Sequence, residues 1–144
     1  MYEEILYNKM ILSVVIATLV CQIWKVLHNL CWEKKKDWGV FWATGGMPSS
    51  HSTLVVAVTL SAGFAEGWLS TVFLASVGFS ALFIRDAIGV RRTVDDLIKN
   101  VNEMIKEKKF KVDMIRKIAG HTPIQVTVGI LIGAIVTVGI HLLM

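Results

Sequence analysis

From Met10 to Leu30 the chain carries a single formally charged side chain, Lys25. At helical rise such a run crosses the roughly 30 Å hydrocarbon core of a bilayer. Three more apolar runs follow, at about 51–65, 68–88 and 122–144. No water satisfies backbone groups in hydrocarbon, so each run must satisfy its own, and a helix does that within one segment. The second run is short, and reaches the lower limit of about 17 residues only when Pro48 to Ser50 join the helix. A hydrophobic fraction of 54% and a mean hydropathy of +0.60 over 144 residues agree with one membrane domain spanning 1–144. The expectation is an all-α, integral membrane helical bundle with about four transmembrane helices.

The net charge of +4 and pI near 9.2 raise the question of nucleic acid. The basic residues sit between apolar runs and are not interleaved with aromatics, so no nucleic-acid partner is expected. They read as topology signals and contacts to anionic membrane lipids. Lys34, Lys35 and Lys36 lie in one connector, and Lys106, Lys108, Lys109, Lys111, Arg116 and Lys117 in the other. The positive-inside bias puts both connectors in the cytoplasm, with both termini outside a multi-pass cell-membrane protein.

Trp32, Trp38 and Trp42 suit headgroup-level anchoring. No small-residue cleavage pattern follows the first run, which therefore reads as a retained anchor. Cys21 and Cys31 occupy opposite regions of that span and cannot bridge within one helix.

From about 93 to 119 the pattern changes. Val94, Leu97, Ile98, Val101, Met104 and Ile105 recur at three and four positions with charges between them. That is amphipathic helix spacing, on the membrane surface or capping the bundle. In the last span Gly129 and Gly133 form a small-xxx-small pair that favours close helix contact. The contact is either internal or a possible homo-oligomer face. His141, near the far end, reads as interfacial.

The polar residues left over converge. Gly45 to Ser52 reads GGMPSSHS and opens the second run, so it is either an ordinary helix cap or a phosphate cradle. Four antiparallel spans bring His51, the Arg85, Asp86, Arg91 and Arg92 cluster, and His121 to one cytoplasmic membrane face. Arginine forks hold phosphate. One imidazole can attack phosphorus while the other protonates the leaving oxygen. Asp86 either pairs with a neighbouring arginine or orients an imidazole. One carboxylate and two histidines make a poor metal set, so neither metal nor cofactor is expected. Lys25, Gln22 and His28 share one face of the first span. Lys25 either snorkels to the interface, the preferred reading, or lines the site.

GGMPSSHS, then DAIGVRR, then GHTPIQVTVGILIG, in that order between apolar spans, resembles the divergent branch of the type 2 phosphatidic acid phosphatase superfamily, related to acid phosphatases and vanadium haloperoxidases. The resemblance implies a lipid phosphatase acting through a phosphohistidine on a phospholipid or polyprenyl phosphate or diphosphate. It makes His51 the proton donor, His121 the nucleophile, and Ser50 a phosphate contact; beside it, Ser49, Arg85, Arg91, Arg92 and Gln125 are expected as further substrate contacts from their own chemistry. The chain departs from the pattern at Gln125, which stands where the superfamily has a carboxylate. It also lacks the upstream Lys-x6-Arg-Pro motif. The alternatives are a catalytically weak or silent protein that binds or transports phospholipid, and a structural oligomer.

Overall fold

The computed structural model describes residues 8–31, 46–108, 113, 115 and 120–144, and there every regular element is a helix. In order these are α1 (Lys9–Cys31), α2 (Ser50–Glu66), α3 (Thr71–Ile88), α4 (Val90–Glu107) and α5 (Pro123–Leu143). Stretches within α1, α3 and α5 are long and apolar enough to cross a membrane. At 17 residues α2 is shorter, about 25 Å at helical rise. It compensates by position, because α1, α3 and α5 all pack against it.

The residues of α2 explain why it sits in the centre. Its buried positions are Ser52, Thr53, Ala57, Thr59, Ser61, Ala62 and Gly63, all small. Lipid tails are as apolar as leucine, so helices associate in a membrane through close packing and not through burial of bulk. Opposite them on α5 lie Gly129 and Gly133. A Cβ at Gly133 would fall 2.6 Å from the Thr53 carbonyl oxygen, and one at Gly129 would collide with that of Ser49. Thr53 Oγ1 donates to the Gly129 carbonyl at 2.9 Å, which ties the two helices where they touch. Of the two alternatives for the Gly129/Gly133 pair, the internal contact is the one present: α2 of the same chain packs against it.

Two boundaries differ from expectation. The third span begins at Thr71, because the Ser70 side chain caps that helix by accepting from the Phe73 amide at 3.1 Å. The amphipathic helix begins at Val90, directly after Gly89, so a one-residue break separates it from α3. Among the described residues α4 contacts only α3 of the other helices, and so does not cap the bundle. Its apolar stripe of Val90, Leu97, Val101 and Met104 is exposed, as a helix on a membrane surface requires. Asn102 holds the returning chain by bonding both backbone groups of Ile115 at 2.8 Å. The expected aromatic anchors Trp32, Trp38 and Trp42 and the Lys34 to Lys36 cluster lie outside the described residues. So do Gly45 and most of 109–119.

Candidate active site

Two short turns bring the histidines together. On one side Ser49 ends an irregular stretch with a cis Met47–Pro48 peptide and caps α2, its Oγ accepting from the Ser52 amide and hydroxyl at 3.4 and 3.0 Å. On the other, Thr122 and Gln125 form a capping box at the start of α5, with Pro123 at the first helical position. The two turns are joined directly, because the Ser49 amide donates to the Gln125 carbonyl at 3.0 Å. His51 and His121 follow from that junction at fixed positions, with ring centroids 6.1 Å apart and planes tilted by 58°.

The end of α3 completes the site. The His121 amide donates to the Ala87 carbonyl at 3.0 Å, and the Gly120 amide to Asp95 Oδ2 at 2.6 Å. Gly120 is required here: a Cβ would fall 2.5 Å from the Arg92 Cα. Across the Gly89 break, Arg91 Nε donates to Asp86 Oδ2 at 2.6 Å. His51, Phe83, Asp86, Ala87, Arg91 and His121 line one cavity of about 10 Å3, enough for about one water.

His121 is the unusual member. It is 1% exposed, and neither ring nitrogen has a hydrogen-bond partner among the described residues. Buried polar groups are nearly always paired, so an orphaned imidazole marks a place where something else binds. Burial holds its pKa below the ordinary histidine value. The Gln125 amide opposes this, and the positive charges of His51, Lys25 and Arg91 reinforce it. Gln125 Oε1 accepts from the Thr122 amide at 2.9 Å. A neutral imidazole with a free lone pair is the form that attacks an electrophile.

The structure thus gathers four of the expected residues, His51, His121, Asp86 and Arg91, around one cavity. It does not bring the others there. Ser49 is fully buried and occupied as a cap, and Gln125 is occupied in the capping box. Arg85 and Arg92 are exposed, Ser50 is half-buried, and none of the three lines the cavity. Asp86 resolves to the arginine-pairing alternative.

Lys25 corrects the preferred reading. It does not snorkel outward but lies 1% exposed inside the bundle, with its aliphatic stem beside Gly46. A lysine recurring with Gln22 on one face of α1 carried that signal in the sequence. Its inward direction follows only from how α1 packs.

Among the described residues no three His, Cys, Asp or Glu side chains gather as metal ligands. The sequence matches the divergent PAP2 family over residues 6–136. It is also similar to the uncharacterized membrane protein YuiD of Bacillus subtilis (strain 168), at 32% identity over 93% of this chain and 94% of that one. No solved structure matches significantly. The apolar helices and these similarities together make this a membrane protein that belongs to the divergent PAP2 family.

Proposed function

We propose that the chain is a lipid phosphatase that hydrolyses a phosphate ester at the membrane surface through a phosphohistidine on His121. The observation that carries this reading is the buried, unpartnered His121 ring facing His51 across a cavity that Arg91 also lines. A His121 ring nitrogen attacks phosphorus, the bond to the ester oxygen breaks, and His51 gives its proton to that oxygen. Water then attacks the phosphohistidine, His51 takes the water's proton, and inorganic phosphate leaves with His121 restored.

Arg91 offers a fork to the equatorial phosphate oxygens, and Lys25, buried in the same bundle, adds positive charge. Asp86 holds Arg91 in place while no anion is bound. The cavity is too small for a phosphoryl group as it stands, so substrate enters with a side-chain movement. Arg91, 36% exposed and held by one ion pair, is the group that swings. The Lys and Arg of the two connector sequences support, by the positive-inside bias, a site at the cytoplasmic leaflet.

A second reading has its own support. Gln125 is spent on the capping box, so no carboxylate orients His121, and a triad lacking that orienting group loses much of its rate. On this reading the chain binds a lipid phosphate without turning it over.

A single-turnover assay with detergent-solubilised phosphatidic acid separates the two. Release of phosphate that His121→Ala and His51→Ala each abolish supports the phosphatase. Saturable binding with no release supports the silent binder. Release unchanged in both variants contradicts the phosphatase. Vanadate, which adopts the five-coordinate geometry of the transferring phosphorus, should inhibit.

A further inference from the structure

At helical periodicity the residues of α4 sort onto three faces. Arg91, Asp95, Ile98 and Asn102 fall within about 60° of arc, and each is engaged by the rest of the protein. Arg91 Nε donates to Asp86 Oδ2, Asp95 Oδ2 accepts from the Gly120 amide, Ile98 is buried, and Asn102 brackets Ile115. Arg92, Asp96, Lys99, Glu103, Lys106 and Glu107 share a second arc of about 100°, on which the charges cancel. The third face holds Val90, Leu97, Val101 and Met104, again within about 60°, and all four are exposed.

What covers that third face follows from where the helix starts. Only Gly89 separates α4 from α3, which is apolar enough to cross a membrane and exposes Leu74, Phe79, Leu82 and Phe83 to lipid. The apolar face of α4 therefore takes up at the membrane boundary where the lipid-facing surface of α3 stops. Its balanced charges give little attraction to anionic headgroups, so apolar burial is what holds it.

The same helix walls the histidine cavity. Arg91 lines that cavity, and a Cβ on Gly120 would fall 2.5 Å from the Arg92 Cα, so the first turn of α4 lies directly on the turn that carries His121. We infer that α4 docks its Val90, Leu97, Val101 and Met104 face onto the lipid surface, and that this docking holds the Arg91 wall of the cavity against the His121 turn. Docked, α4 gives the Arg91 side chain a fixed backbone from which to swing. Undocked, it turns about Gly89, and the wall leaves His121. Only the activity arm of the test rests on the phosphatase reading.

Docking is read on the full chain in phosphatidylcholine nanodiscs, with Cys31→Ser removing the exposed thiol and Cys21 buried. A nitroxide on a Val101→Cys variant should collide readily with oxygen and rarely with a water-soluble nickel chelate, and one on a Lys99→Cys variant should do the reverse. Free access of the chelate at position 101 would mean water, and poor access of both relaxers would mean protein, a second copy included. Either overturns the docking.

The coupling is read without any substrate, through the rate at which diethyl pyrocarbonate modifies each histidine. Leu97→Asp and Met104→Asp should each speed modification of His121 about tenfold and leave His141 within about twofold. Lys99→Asp, on the charged face, should change neither. An unchanged His121 rate in both variants, or an equal rise at His141, overturns the coupling. With butyl phosphate, a soluble substrate, the same two variants should lose about tenfold in kcat/KM, and full activity in both overturns the coupling as well. No release by wild-type protein contradicts the phosphatase reading instead, and the nitroxide and modification results then decide the inference by themselves.

Discussion

A histidine lies by each end of α5, His121 in the turn before it and His141 in its last turn, and the two are treated in opposite ways. His141 is half-exposed and engaged through one nitrogen and its ring face: Nδ1 lies 3.0 Å from the Thr137 carbonyl and 3.4 Å from Ser13 Oγ, and its ring stacks on Phe64 at 4.5 Å. His121 is deeply buried, yet both of its nitrogens are unpaired among the described residues. The larger cavity, about 400 Å3, lies at the His141 end. Size is therefore a poor guide in this molecule. What separates a histidine placed for packing from one placed for chemistry is an unmet hydrogen-bonding capacity held where water has little access.

The strongest way to break this comparison is to remove each ring. His121→Ala should lower single-turnover phosphate release by at least about 10³-fold, since the nucleophile itself is lost. His141→Ala should leave release within about twofold. If the two variants lose activity alike, the contrast is meaningless.

Arg91→Ala should cost about 10- to 100-fold in kcat/KM, the worth of a charge-assisted contact to phosphate. Arg85→Ala, exposed and away from the cavity, should cost little. A steady-state comparison of the two arginines sharpens the assignment of the anion contact.

His141→Ala should instead appear in thermal unfolding, at about 1–2 kcal/mol for a lost ring stack and hydrogen bond.

The smallest effect concerns pH. His121 is held below the ordinary value of about 6.5, so its ring stays neutral and nucleophilic below that pH. The acid limb of the single-turnover rate should accordingly fall below about 6.5. Over the same window the unfolded chain binds the proton first, and the His121 contribution to stability is lost as pH falls toward the folded value. An acid limb above 6.5 would show that the ring is not buried in the working state.

The spans and their convergence were legible in the sequence, because hydropathy marks helices that must satisfy their own backbones and alternating direction then dictates which ends meet. His51, Asp86, Arg91 and His121 were found that way. Three features were not legible, each for a packing reason. Ser49 has the same hydroxyl whether it caps a helix or binds phosphate, and only the 3.0 Å bond from Ser52 Oγ decides. Gly129 and Gly133 announce a close contact but not with which helix, until the Thr53 bond identifies α2. Lys25 is near the end of its span by count, which favours snorkelling, yet the rotation of α1 turns it inward. Gln125 shows the reverse case: the missing carboxylate was plain from the sequence, but not that the amide would be committed to the Thr122 backbone.

The most direct measurement is chemical capture of the intermediate. Protein mixed with phosphorus-labelled farnesyl phosphate or phosphatidic acid is quenched in alkali within the first turnover, which preserves phosphohistidine, and digested for mapping. Label on the peptide containing His121, retained in His141→Ala and lost in His121→Ala, is the predicted result. Phosphate release from wild-type protein that continues at full rate in His121→Ala, with no label on either histidine of the site, would contradict it.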